Sequence, residues 1–250
     1  MVYVEFLRVR RTLTWHVGIL AAITLLILYF GHDTVVNVNG HSELVSGMTV
    51  PLGQLSVVAM FFATIYASSL GSSLNRENQV RDISWTKPIP RGLLAAQYIV
   101  TDVAAIALLF ALTMLAVIVA ILRLQFVPVF DATLVPQLAL GLGVAVMWYA
   151  LIQLITFWFP PGARSAGGIL WPVAFVAIAL AKAPGPLGIA ARALDVINPI
   201  AYLDGVISTS TGVHQESLWQ WPVEDRALIV WLFAALFCAI VIALWPKKEA

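Results

Sequence analysis

The sequence predicts an all-α membrane protein of six transmembrane helices, with both termini in the cytosol. Three observations predict it. The 250 residues are 61% hydrophobic and 11% charged, where a soluble domain carries about a quarter charged residues; the chain has too little polar surface to cover itself in water. Six runs approach the ~20 apolar residues that a helical span needs. The Lys and Arg residues also gather in alternate connections, as the positive-inside bias requires.

The runs are residues 13–30, 52–72, 93–122, 134–159, 168–182 and 227–245. Each is read as helix because a segment in lipid must satisfy its own backbone hydrogen bonds. No small-x-small cleavage site follows the first run, so it is expected to stay as a span. The third run would be about 45 Å long at 1.5 Å per residue. It should tilt or project into the cytosol. The fifth is short, with Pro172 expected to kink it and Lys182 to snorkel from its end.

Orientation follows from charge. Arg8, Arg10 and Arg11 precede the first run, Arg76, Arg81, Lys87 and Arg91 follow the second, Arg164 lies between the fourth and fifth, and Lys247 and Lys248 follow the last. Residues 31–51 hold no Lys or Arg. Arg123, Lys182, Arg192 and Arg226 are the exceptions on that outer side.

The connecting segments carry their own signals. In residues 1–12, Val2, Phe6 and Val9 recur at helical spacing while Glu5, Arg8 and Arg11 lie off that face. This predicts an interfacial helix that precedes the first span. Asn39-Gly40 within "VVNVNGHSELV" predicts a small external hairpin with a two-residue turn. His32, Asp33, His41 and Glu43 lie near it without any recognised metal-ligand spacing. Residues 184–225 are too apolar for a free loop, and Pro184, Pro186 and Pro199 interrupt them too often for a span. A pair of half-inserted helices on the outer side is expected there, with Asn198, Pro199 and Tyr202 among its residues.

Several chemistries are excluded. The chain has no GxxxxGK[ST] phosphate loop, no HExxH and no GxSxG, so no nucleotide, metal or other cofactor is expected on it. A net charge of +1 points to no nucleic-acid partner. The lone Cys238 builds no disulfide framework. Polar residues inside the apolar runs are costly and therefore candidates for a buried ion pair or a transport path. They are Asp102, Gln137 and Gln153. Asp102 is expected to pair with Arg91 or Arg164, and its place near a helix start would favour a carboxylate.

The densest polarity is the segment 74–91, "LNRENQVRDISWTKPIPR". Its four basic residues satisfy topology. Glu77, Asp82, Trp85, Pro88 and Pro90 exceed what topology needs. Mixed-sign charge at Arg76, Glu77, Arg81 and Asp82 suits a polar docking surface. Val80, Ile83 and Trp85 supply an apolar anchor of the kind enriched at interface hot spots. Pro88 and Pro90 stiffen the link into the third span.

This order of features resembles the membrane subunit of type-2 ATP-binding-cassette exporters. In that family the segment after the second span often reads like "RE…G…E.L…TP.SR". Here Arg76-Glu77 and Thr86-Lys87-Pro88-Ile89-Pro90-Arg91 stand at matching places, and "NPIAYL", Asn198 to Leu203, is similar to an Asn-Pro stretch before the family's last span. Lys87 and Trp85 depart from the usual pattern. The resemblance implies an exporter subunit without its own ATPase. A second membrane subunit, identical or a paralogue, would complete the path. Separate ATPase subunits would hold ATP and Mg. It implies that Arg76, Glu77, Val80, Arg81, Asp82, Ile83, Trp85, Lys87 and Pro88 form a cytosolic coupling helix docking on the ATPase, in the cytoplasmic membrane of a bacterium. The competing functions are an ion-coupled transporter, a membrane scaffold and, furthest from the residues, an intramembrane enzyme.

Overall fold

A computed structural model describes residues 2–30, 35–38, 41–44, 49–71, 90–158, 166–203 and 221–248. It is mostly helical. Helix α1 is Val2–Phe30, α2 Leu52–Leu70, α3 Arg91–Arg123, α4 Leu134–Phe157, α5 Ala166–Ala181, α6 Pro186–Asp195 and α7 Val223–Lys248. A 3-10 turn, Pro199–Leu203, follows α6. Five helices, α1, α2, α3, α4 and α7, are long and apolar enough to cross a membrane. The protein is therefore a multi-pass, helical membrane protein.

Two expectations change. The fifth run is a helix of only 16 residues, about 24 Å at 1.5 Å per residue. It falls short of the hydrocarbon thickness; among the described residues five helices reach spanning length. Gly185, at φ 86° and ψ −166°, turns the chain after α5, and α6 folds back along it. That backbone region is essentially open to glycine alone. The expected interfacial helix and the first span are one continuous helix, because α1 is unbroken from Val2 to Phe30. No Gly or Pro lies between Val2 and Val17 to interrupt it.

The segment between α1 and α2 does form a hairpin. Strands β1, Val35–Val38, and β2, His41–Leu44, pair antiparallel with Val38 opposite His41, leaving two residues between them. A second pairing was not legible in the sequence. Strand β3, Thr49–Pro51, runs parallel to β4, Val127–Val129, with Val50 opposite Pro128. It clips the segment entering α2 to the segment leaving α3. Helix α3 ends in a Schellman closure: Phe126 N donates to Ile121 O and Gln125 N to Leu122 O. Gln125 takes the left-handed conformation, φ 61°, in a place usually held by Gly.

Contacts fix the helix directions. Ser56 on α2 reaches Gln137 O on α4, and Gln153 near the end of α4 reaches Leu70 O at the end of α2, so these two run parallel. Trp231 on α7 donates to Ala139 O near the start of α4. Arg123 at the end of α3 donates to Leu28 O at the end of α1. The end of the bundle where α2 and α4 finish and α3 begins is the basal end, from which residues 72–89 depart. Both α1 and α3 begin there.

Helix α4 is the axis of the core. Its residues Leu140, Val144, Met147, Trp148, Tyr149 and Ile152 are fully buried, as expected of a helix that is apolar on every side. Helices α2, α3 and α7 surround it. Small residues allow the close approaches. A side chain on Gly53 would run into Gln137, and one on Gly143 would sit 3.0–3.2 Å from Trp231 and Val230. Outward stripes such as Leu228, Leu232 and Leu236 on α7 are exposed and apolar, the composition that lipid tails accept.

Candidate functional site

The polar residues of the apolar helices converge near the basal end. Tyr149, Gln153 and Thr156 stand at i, i+4 and i+7 on α4, one face of the helix. Asp102 faces them from α3. All four are buried, Asp102 and Tyr149 with no exposure. The Tyr149 hydroxyl donates to Asp102 Oδ2 at 2.8 Å. Gln153 Nε2 donates to Tyr149 Oη at 3.0 Å and lies 3.4 Å from Leu70 O. The Thr156 hydroxyl lies 2.8 Å from Ile152 O and 3.3 Å from Gly71 O.

The last carbonyls of a helix have no partner within it. At the end of α2 those carbonyls belong to Leu70 and Gly71, and side chains of α4 meet them. The backbones are close because position 71 is glycine. A Cβ there would lie 2.5 and 2.6 Å from Ile152 side-chain carbons, while its φ of −61° is ordinary. Lack of space, not backbone conformation, explains the glycine.

One turn above, Ser68 joins three helices. Its hydroxyl accepts from Trp148 Nε1 at 2.8 Å and Trp171 Nε1 at 3.1 Å, and donates to Thr64 O at 2.9 Å. The two indoles lie 4.9 Å apart. Trp171 also stacks on Phe61 and Phe175. Each indole N–H buried this way needs an acceptor, and Ser68 serves both.

A second buried polar group holds the folded-back segment. Asn198 Nδ2 donates to Ala174 O at 3.0 Å and Asp195 Oδ1 at 3.1 Å, and Asn198 Oδ1 accepts from Ile200 N at 3.2 Å. Tyr202 donates to Val196 O at 2.8 Å. Burial pushes its phenol up to about 12, so it remains a neutral donor. Arg226 Nη1 donates to Tyr202 O at 3.2 Å. Pro199 and Tyr202 are buried in the 3-10 turn, which packs against α4, α5 and α7.

Three of the four exceptional basic residues find partners in this arrangement. Arg123, Arg192 and Arg226 each donate to a backbone carbonyl, of Leu28, Gly188 and Tyr202. These hydrogen bonds give the three cations roles in helix-end and turn chemistry that the charge bias does not require.

The sequence candidates separate accordingly. Asp102 and Gln153 meet through Tyr149. Gln137 does not join them: it sits sixteen residues earlier on α4, about 24 Å away along the axis. Its Oε1 is buried without a partner among the described residues. Asp102 lies three turns into α3, too far for the helix-end charge to favour it, since that effect fades within the first turn. Arg164 and the side chain of Arg91 lie outside the described residues, as do Arg76, Glu77, Val80, Arg81, Asp82, Ile83, Trp85, Lys87 and Pro88. Tyr149, Thr156, Ser68 and Asp195 were missed. The polar stripe Tyr149, Gln153, Thr156 at helical spacing was the signal that would have found the first two. Among the described residues no cluster of His, Cys, Asp and Glu suits a metal ion.

No family model, no curated protein and no solved structure matches the chain.

Proposed function

We propose that the chain is the membrane subunit of an ATP-driven exporter of the type-2 ATP-binding-cassette class, with a second membrane subunit and separate ATPase subunits. The observation that carries the proposal is the polar tie at the basal end. Residues 72–89 connect the end of α2 to the start of α3. Leu70 and Gly71 on α2 and Asp102 on α3 are bound to the same face of α4 through Gln153, Thr156 and Tyr149. A push on the connecting segment would act on both helices, and the tie would pass it to the core helix. Docking of an ATPase on Glu77 and Trp85 would supply that push.

The test is co-purification with candidate ATPases, followed by ATPase and transport assays in vesicles. Glu77→Ala and Trp85→Ala should weaken the complex and its stimulated ATPase activity. If complex and stimulation survive both changes, the docking role is wrong.

The buried Asp102 carboxyl favours a second reading, ion-coupled transport, because ionisable groups at membrane depth commonly mark ion paths. Transport driven by an ion gradient in ATP-free vesicles, and abolished by Asp102→Asn, would select it.

A further inference from the structure

Helix α1 divides sharply along its length. Arg10 and Arg11 are its last charged residues other than His16, and the following residues to Phe30 are apolar or hydroxylated. From Arg11 to Phe30 is about 29 Å along the axis, close to the ~30 Å hydrocarbon thickness. The arginines therefore stand at the level where lipid headgroups begin.

The helix also divides around its circumference. Val9 and Leu20 are buried, and Leu13 and Val17 pack against the core. His16 meets the Tyr66 ring edge-on at 4.9 Å. Arg10, Arg11, Thr14 and Trp15 lie on the other side and line an open cleft of about 470 Å³. That volume is within the range of small-molecule sites. Trp15 is 72% exposed. The Thr14 hydroxyl hydrogen is already given to Arg10 O at 2.7 Å. Among the described residues neither guanidinium nor the Trp15 indole has a hydrogen-bond or ion-pair partner. The cleft is thus lined by two exposed arginines with forked N–H groups and by one indole, one turn above an exposed apolar stripe that includes Ile19 and Ile23.

We propose that this cleft binds the phosphate headgroup of an anionic membrane phospholipid. The guanidiniums match phosphate oxygens in bidentate geometry. Trp15 is amphipathic, as a residue at the headgroup level should be. The apolar stripe below would take the acyl chains. A free phosphate offers the same oxygens and lacks the chains, so the stripe favours the lipid. The site is independent of whether the chain exports anything.

Native mass spectrometry of the full chain, released from mixed micelles, tests it. The micelles contain phosphatidylglycerol, phosphatidylcholine, or no lipid with inorganic phosphate added. Phosphatidylglycerol should be retained in preference to phosphatidylcholine. Arg10→Gln with Arg11→Gln should reduce retention roughly tenfold or more, whereas Lys247→Gln with Lys248→Gln, an equal loss of charge, should leave it unchanged. Removing two cations beside a span can disturb insertion. Arg10→Lys with Arg11→Lys therefore runs in parallel; it keeps the charge, loses the fork and should weaken retention several-fold. Retention equal to the parent in either inserted Arg variant overturns the proposal. So does equal loss in the Lys247 and Lys248 variant, or displacement of the lipid by inorganic phosphate at matched concentration.

Discussion

Tyr149 gives its hydroxyl hydrogen to Asp102 across α3 and α4, at 2.8 Å, where neither residue is exposed. The bond holds a carboxyl that would otherwise be expensive in an apolar bundle. Tyr149→Phe keeps the ring and its packing but removes the donor, and also takes away an acceptor of Gln153. Leaving a buried polar group unsatisfied costs about 1–3 kcal/mol. Thermal unfolding in detergent should show that loss. Combining the change with Gln153→Leu should cost less than the sum of the two, because they share one network. Additive losses would mean the two contacts are independent.

Gly71→Ala should destabilise the end of α2. Its new methyl would meet Ile152, and overpacking typically costs 1–3 kcal/mol. Ile152→Ala makes room and should recover part of the loss when combined with it. Unfolding measurements on the four proteins of that cycle decide. No recovery in the double variant would show that the Ile152 contact is not the cause.

Gly185→Ala tests a different kind of glycine. Nothing lies within 4 Å of a Cβ placed there, so no clash is created. The cost comes from the φ of 86° and should be about 1–3 kcal/mol. Hydrogen exchange should rise in α6 before it rises in α4. A change confined to α4 would count against this account.

Asn198→Ala removes three hydrogen bonds at once, to Ala174 O, Asp195 and Ile200 N. Each is worth about 1 kcal/mol net, so a loss near 3 kcal/mol is expected. Limited proteolysis between residues 186 and 203 should report it. Cleavage at the rate of the parent protein would contradict the structure of this segment.

Long apolar helices were legible because composition and length determine them almost alone. Helix α4 from Leu134 to Phe157 and the hairpin around Asn39-Gly40 emerged from run length and turn chemistry. Helix α3 starts at Arg91, two residues before the apolar run at 93–122, because Pro90 opens the helix and Arg91 and Gly92 join it without being apolar. The β3–β4 pairing was not legible, because three-residue strands containing proline show no alternation and their partner lies some 78 positions away. Asp102 and Gln153 stood out as polar residues in apolar runs. That Tyr149 links them, while Gln137 stands apart, depends on which faces of α3 and α4 meet. Periodicity within one helix does not specify the facing helix.

The unbroken α1 carries a mechanical consequence. Its charged first turns and its apolar remainder belong to one rod about 43 Å long, lashed at its far end by Arg123 to Leu28. One face of the rod is also seated on the core through Val9, Leu13, Val17 and Leu20. A load taken up at Arg10 and Arg11 would therefore pass along the whole seam between α1 and α3.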